Sequence, residues 1–474
     1  MLNKYKTMPT GVKAALWFTV CNILQKGISF LTVPIFTRLL TTEQYGEFTL
    51  YSSWYQVISV FATLNLFYGV YNNGMTKFSE DRPRFTSSMQ GLSTVITLGL
   101  LVVYSVAFRF WNNLFGLSTL YMLTIFAELL VIPAFNFWSA GQRYNYRYRA
   151  LIAVTLLISV ATPFLGYFAV ISTEYKAEAR VLSVALVQVI VGLTFYIINM
   201  MRGKQFYSKN YWKYALVFNI PLIPHYLSSI VLGHADRIMI GVMVGKSESA
   251  LYGVAYNLAL MLNIVTNAIN SSFTPFMYQS MKNKNYLSLR KCSSLLVLLV
   301  GLISVVLMMA GPELITIIGS EEYKDAMWVI PPVAGSVFFM FLYPIFSNIE
   351  FYYDKTKYIM VASSVGAVLN IALNYLLIPV FGYYAAGYTT LFCYIVYAFA
   401  HYIFAKGICK KNEIHGKLFD IRHILLVGLL VLGAIMILPW LYPYFWIRLL
   451  FGIVLLAVIV NFGFKYLRIK RQNK

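Results

Sequence analysis

The sequence predicts an all-α polytopic membrane protein of about fourteen transmembrane helices. These form two six-helix bundles, related by a pseudo-twofold axis along the membrane normal, and two additional C-terminal helices. Three observations predict it. Of 474 residues, 59% are hydrophobic and 12% charged, with a mean hydropathy of +0.68, whereas soluble domains carry about 25% charged residues. Apolar runs of roughly 18 to 25 residues, the length that spans about 30 Å of hydrocarbon, recur along the whole chain. The chain also matches itself. Lys13-Ala14-Ala15-Leu16-Trp17-Phe18 lines up with Lys213-Tyr214-Ala215-Leu216-Val217-Phe218, Arg38 falls one place from the register of Arg237, and Tyr45-Gly46 answers Tyr252-Gly253. An offset of about 200 residues far exceeds the roughly 20 to 50 of a solenoid unit, so it reads as a duplicated bundle.

Taken in order, the apolar runs of the first half begin at Ala14, Phe48, Met89, Thr119, Leu151 and Val181. Those of the second half begin at Tyr214, Leu251, Ser293, Met327, Tyr358 and Ala385, and two more start at Ile424 and Ile447. The expected organisation is a bundle over 1–205, a second over 206–410, and over 411–474 two further helices with a basic tail. Lys4, Lys6 and Lys13 precede the first run without a small-residue cleavage site, so that helix is read as retained, not as a signal peptide. An even number of helices per half keeps both halves in one orientation, which places the pseudo-twofold along the normal and implies a central cavity.

Lys and Arg set the topology. Of the 38 in the chain, 29 fall at the termini and in every second gap, 6 in the remaining gaps, and Lys26, Arg38 and Arg237 within helices. Cytoplasmic loops hold the excess of basic residues, so both termini are expected in the cytoplasm. The net charge of +21 therefore reads as topology, not as a nucleic-acid surface. Cys21, Cys292, Cys393 and Cys409 lie in or beside apolar runs without CxxC spacing, so neither a metal site nor a disulfide framework is expected. The short loops leave no room for an extramembrane domain. No G-x-S-x-G, H-E-x-x-H or Walker loop is present, so an enzyme is not expected.

Polar residues inside the spans are the candidates for function, because an ionised group there costs about 2.5 to 3.5 kcal/mol on insertion scales. Asn22, Gln25, Lys26 and Ser29 recur at i, i+3, i+4 and i+7, on one face of the first helix. That face points at a substrate cavity, or else Lys26 pairs with a carboxylate such as Glu128 and holds helices together. Asp236 and Arg237 are adjacent and so point about 100° apart, which removes any need for mutual neutralisation. Arg38 and Arg237 lie near the ends of their spans, where snorkelling to headgroups competes with a cavity role.

His225 and His234 are candidates for carrying a coupling proton, against packing roles. Glu128 and Asp236 are possible coupling or charge partners. Asn263, Asn267, Asn270 and Thr274 form a stripe that serves as interhelical glue or as a wall for hydroxyl-rich sugars. Pro221, Pro224, Pro331, Pro332 and Pro344 mark bends, static or moving.

Three stretches carry a family resemblance: Pro34-Ile-Phe-Thr-Arg38-Leu-Leu-Thr-Thr-Glu-Gln-Tyr45-Gly46; Asp236-Arg237-Ile-Met-Ile240 followed by Tyr252-Gly253; and Lys355-Thr356 followed by Asn370-Ile-Ala-Leu-Asn374-Tyr-Leu-Leu-Ile-Pro379-Val-Phe-Gly382-Tyr-Tyr-Ala-Ala-Gly387. In this order and spacing the whole chain resembles the Wzx-type O-antigen and polysaccharide flippases of the multidrug/oligosaccharidyl-lipid/polysaccharide exporter superfamily. The resemblance implies translocation of undecaprenyl-pyrophosphate-linked oligosaccharide from the cytoplasmic to the periplasmic leaflet of a bacterial inner membrane, by alternating access. It implies a cavity using Lys26 as a pyrophosphate partner, with Arg38, Arg237, Asn22, Gln25, Asn263, Asn267 and Asn270. It implies no cofactor beyond a possible coupling H+ or Na+. The implied partners are the lipid-linked substrate, bilayer lipids, and polysaccharide polymerase and chain-length regulator proteins. Two rivals stand beside it, a proton- or sodium-coupled drug exporter of the same fold and a non-transporting assembly partner.

Overall fold

A computed structural model describes residues 8–414, 416 and 418–472. The described secondary structure is helical throughout. Twelve helices or helix pairs among the described residues are long and apolar enough to cross a membrane. An interrupted helix near the N-terminus and a shorter apolar one at Phe445–Val458 bring this close to the expected fourteen. The chain divides into two compact units, Met1–Ile230 and Val231–Lys474.

The first unit holds α1 (Thr10–Leu39), α2 (Thr42–Thr63), α3 (Gly69–Lys77), α4 (Arg82–Val106), α5 (Phe108–Phe115), α6 (Thr119–Tyr144), α7 (Tyr148–Ile171), α8 (Lys176–Gly203), α9 (Lys209–Asn219) and the start of α10 (Ile223–Met243). The second span starts earlier than its apolar run, at Thr42, because Thr41 and Gln44 form a capping box that satisfies the first free N–H groups. It then stops at Leu64 and Asn65, both in left-handed backbone. The freed Leu64 carbonyl is taken by the Asn219 amide. This break has no proline or glycine to announce it. Helices α6 and α8 approach closely at Gly192, where a Cβ would lie 2.7 Å from the Val131 backbone, the use of a small residue that membrane helices make in place of a hydrophobic driving force. Asn199 joins three helices, donating to Gln90 Oε1 and to the Ala134 carbonyl, each at 3.0 Å.

Helix α9 packs with this unit. Tyr211 and Ala215 are buried in a core with Tyr71, Phe85 and Phe137, and Trp212 donates to the Ser88 carbonyl at 2.9 Å. The division by packing therefore falls inside α10 instead of at 205/206, where the sequence repeat puts it. Pro221 sits in a 3-10 turn, Ile220–Leu222, between α9 and α10. Pro lacks the N–H that a continuous helix would need there.

The second unit holds the rest of α10, α11 (Lys246–Ala259), α12 (Leu262–Lys282), α13 (Tyr286–Met309), α14 (Gly311–Ile318), a 3-10 segment Glu321–Val329, α15 (Ile330–Tyr352), α16 (Thr356–Phe381), α17 (Tyr384–Lys411), α18 (Ile421–Leu441) and α19 (Phe445–Gln472). Eighteen of the 23 residues of α15 are buried. A helix apolar on all sides belongs at the centre of its bundle, and α15 packs on α11, α12, α13, α17 and α18. Pro331 and Pro332 open α15 where no N–H is missed, and Pro344 lies within it. Arg448 of α19 is buried and locked by two 2.7 Å bonds to Glu313 and one of 2.7 Å to the Met309 carbonyl.

Candidate functional site

In the first unit, α1, α2, α6, α7, α8 and the start of α10 line an open cavity of about 890 Å³. Its wall is unusual for membrane depth. Gln25, Gln56, Ser59, Thr63, Asn65, Asn136, Thr155, Gln188 and Ser229 supply amides and hydroxyls, and Tyr51, Tyr55, Tyr68 and Tyr226 supply rings with a polar tip. Glu128 is the one ionisable carboxylate in that wall, and no Lys or Arg lines it. The break at Leu64 and Asn65 turns Asn65, Phe67 and Tyr68 into the cavity wall. Glu128 is 3% exposed and accepts a hydrogen bond from the Tyr51 hydroxyl. The expected alternative partner, Lys26, is not its partner. Lys26 is exposed on α1, with no carboxylate in ion-pair distance among the described residues, while Tyr51 on the adjacent α2 reaches the carboxylate directly.

In the second unit, Asp236 is 3% exposed and fully surrounded by donors. Tyr252 donates to Oδ2 at 2.5 Å and Thr390 at 2.6 Å; Asn374 donates to Oδ1 at 2.7 Å and Asn370 at 3.2 Å. Thr389 bonds Asn374. Four helices, α10, α11, α16 and α17, thus converge on one carboxylate. Arg237 turns the other way, as neighbours about 100° apart must. Its guanidinium lies 4.6 Å from the Tyr256 ring centroid and its Nη2 donates to Asn257 at 3.4 Å. At 9% exposed, Arg237 is packed within the unit and not extended to an interface.

A second buried polar pair ties α15 to α17. Glu350 Oε1 and His401 Nδ1 are 2.7 Å apart, and both side chains are 0% exposed. Tyr343 lies tilted against the imidazole at 4.7 Å between ring centroids and Tyr397 meets it edge-on at 4.6 Å. Glu350 Oε2 and His401 Nε2 have no hydrogen-bond partner.

The family profile described as "Polysaccharide biosynthesis protein" matches residues 12–281, more than half of the chain. The chain belongs to this family. A second profile, MatE, matches residues 221–376. Among curated proteins, "Lsg locus putative protein 1" of Haemophilus influenzae is 24% identical over 384 residues, covering 76% of this chain and 89% of the relative. An "Uncharacterized membrane protein" of the same organism is 22% identical, covering 76% and 88%. Among solved structures, a lipid II flippase MurJ in an inward closed conformation superposes with TM-score 0.71 at 16% identity, over 95% of this chain and 99% of that one. An inward-facing multidrug resistance MATE transporter of the MOP superfamily gives 0.62 at 11% identity, over 82% and 96%. These likenesses show the fold, that of a multi-pass membrane protein.

Within this family member, the other sequence-selected residues scatter between the two units. Gln25 lines the cavity, whereas Asn22 is exposed on α1 beside it. Arg38 is exposed at the end of α1, bonded at 2.9 Å to the Pro34 carbonyl. His225 is half-buried near Tyr226. His234 is half-buried with an unpartnered Nδ1. Asn270 meets Asn348 of α15 at 3.4 Å, so the lower part of the asparagine stripe joins helices. Asn267 is exposed, and Asn263 keeps an unpartnered Oδ1.

Sequence reasoning missed Glu350 and His401, and the donors Tyr252, Asn370, Asn374 and Thr390 around Asp236. An intramembrane charge signals that a partner exists, but not which one: these partners lie far apart in the chain and meet only where α15 packs on α17 and where α10, α11, α16 and α17 converge.

Proposed function

We propose that this protein is a flippase that carries an undecaprenyl-pyrophosphate-linked oligosaccharide from the cytoplasmic to the periplasmic leaflet of a bacterial inner membrane, for the synthesis of a surface polysaccharide such as O-antigen. The observation that carries the reading is the 890 Å³ cavity. Amides and hydroxyls at membrane depth can replace the water hydrogen bonds of sugar hydroxyls. A sugar entering hydrocarbon without such partners would lose several kcal/mol per polar group. The polyprenyl tail needs no such shelter and stays in the bilayer. Lys26 and Arg38, exposed on α1, supply cations for the pyrophosphate. An inside-negative potential favours outward movement of its negative charge by about 2.3 kcal/mol per charge per 100 mV.

The rival drug exporter wants an acidic cavity. Here the single carboxylate, Glu128, is already engaged by Tyr51. Membership of a polysaccharide biosynthesis family favours the glycan further.

The Asp236 cage supports an added coupling role. The carboxylate is ringed by donors, with both asparagines turning their amide nitrogens to it, so the arrangement as it stands suits a proton, and a cation only after both amides turn their carbonyl oxygens inward. Asp236, Tyr252, Asn370, Asn374 and Thr390 would hold it. Among the described residues no cluster of three or more His, Cys, Asp or Glu suggests another metal site.

The test is reconstitution in liposomes with a fluorescent undecaprenyl-pyrophosphate oligosaccharide, scoring how much becomes accessible to an enzyme on the far side. Translocation is expected, reduced at least about tenfold in a Gln188→Leu/Asn136→Leu variant and in Lys26→Ala, but not in Lys324→Ala. A tenfold loss is about 1.4 kcal/mol, the scale of one or two hydrogen bonds. Export of a cationic dye without lipid translocation would replace this reading with the exporter.

A further inference from the structure

Two adjoining features of the second unit have no part in the site above. The first is a pocket of about 660 Å³ where the ends of α13, α17 and α18 meet, within the roughly 300 to 1,000 Å³ of small-ligand sites. Its charged wall is Arg290, Lys406, Lys410 and Arg422 against Glu413 and Asp420. Arg290 is paired with Asp420. Lys406, Lys410 and Arg422 are exposed and have no ion-pair partner among the described residues. Lys406 and Lys410, four apart on α17, share a face.

The second is an apolar groove between α15, α17 and α18, floored by Phe339 and walled by Phe399, Leu425 and Leu432. Tyr402 and Ile421 belong to both, so the basic pocket opens directly into the groove. From Ile421 to Leu432 the groove rises about 16 Å at about 1.5 Å per residue. That is one leaflet of a hydrocarbon core about 30 Å thick.

We infer that this composite site binds an anionic glycerophospholipid, with its headgroup phosphate among Lys406, Lys410 and Arg422 and one acyl chain in the groove. The charge excess selects the anion, and the depth, which ends at mid-bilayer, selects an acyl chain over a longer polyprenyl chain. The site sits at the basic end of the spans, where the inner leaflet carries anionic lipid. It lies within the second unit and needs no transport step, so its test is independent of the flippase reading.

The test is native mass spectrometry of the full chain with phosphatidylglycerol and, separately, phosphatidylcholine. Preferential retention of phosphatidylglycerol is expected. Removing one cation should weaken it by about fivefold, and Lys406→Gln/Lys410→Gln/Arg422→Gln together by on the order of 100-fold, given about 1 kcal/mol per basic residue at the membrane surface. A Cβ at Gly428 on the groove wall meets only ordinary 3.7 Å contacts with Phe339. Gly428→Phe should therefore fill the groove and lower retention while the three cations remain. Equal retention of both lipids, retention unchanged in the triple variant, or displacement of phosphatidylglycerol by undecaprenyl phosphate at equal concentration would each overturn the proposal.

Discussion

At the scale of single residues, the buried charges carry the sharpest expectations. Asp236 satisfies four donors at once, so Asp236→Ala strands a tyrosine, a threonine and two amides in a sealed interior. An unsatisfied buried polar group costs about 1 to 3 kcal/mol, so this substitution is expected to destabilise the protein by more than about 3 kcal/mol. Tyr252→Phe, which removes one donor, should lose about 1 to 3 kcal/mol. Denaturant unfolding in detergent orders the two, and an equal loss would mean that the donors act independently of the carboxylate.

The Glu350–His401 pair obeys a different rule. Removing one partner leaves a buried polar group without its hydrogen bond, at about 1 to 3 kcal/mol, whereas replacing both by apolar side chains of similar shape is often close to neutral. Glu350→Ala and His401→Ala should each unfold more readily than Glu350→Met/His401→Phe. If the double variant is as unstable as either single one, the pair contributes net stability of its own. Neither residue was legible as a pair, because Glu350 and His401 are 51 positions apart and their proximity is a product of how α15 and α17 pack.

At the scale of helices, starts and breaks are set by a few local bonds. Thr41 and Gln44 begin α2, and Thr41→Ala should cost about 1 kcal/mol, the usual worth of an N-cap. Asp420 begins α18, accepting from the His423 N–H at 3.4 Å, and also takes the Arg290 guanidinium of α13. The Arg290 bond holds its carboxyl below the usual range; desolvation opposes this and the His423 N–H adds to it. A depressed folded pKa means stability that is complete above the unfolded value of about 3.9 and lost as pH falls through the folded value. The unfolding midpoint should therefore hold from pH 7 to 5 and drop below about pH 4. Arg290→Gln should shrink that acid drop while leaving the rest of the profile in place.

The spans and their order were legible, since a bilayer demands about 20 apolar residues per helix and the sequence states them openly. The breaks after Thr63 and Ala259 were not. Left-handed Leu64 and Asn65 are fixed by the Asn219 amide on a distant helix, a tertiary cause without a local mark. Arg180 was equally hidden. Counted as a loop cation, it is buried with its guanidinium 3.7 Å from the Phe36 ring centroid, an arrangement that depends on α1 and α8 meeting.

At the scale of the whole molecule, the distribution of charge sets how the chain crosses the bilayer. Twenty-nine of the 38 basic residues occupy alternate gaps and the termini. Because Lys and Arg resist translocation, that asymmetry predicts that the gaps holding them face the cytoplasm. With the four native cysteines replaced, a cysteine at Asn285 should react only with reagent added from the cytoplasmic side. One at Glu322, beyond the next span, should react only from the other side. Asn285 caps the start of α13 and Glu322 lies in the first turn of the 3-10 segment; both side chains are exposed, so each cysteine leaves the core intact. Labelling of both from one side would mean that the chain crosses an even number of times between them. It would also remove the inside-negative assistance to export, and with it the assignment of the basic pocket to the anionic inner leaflet.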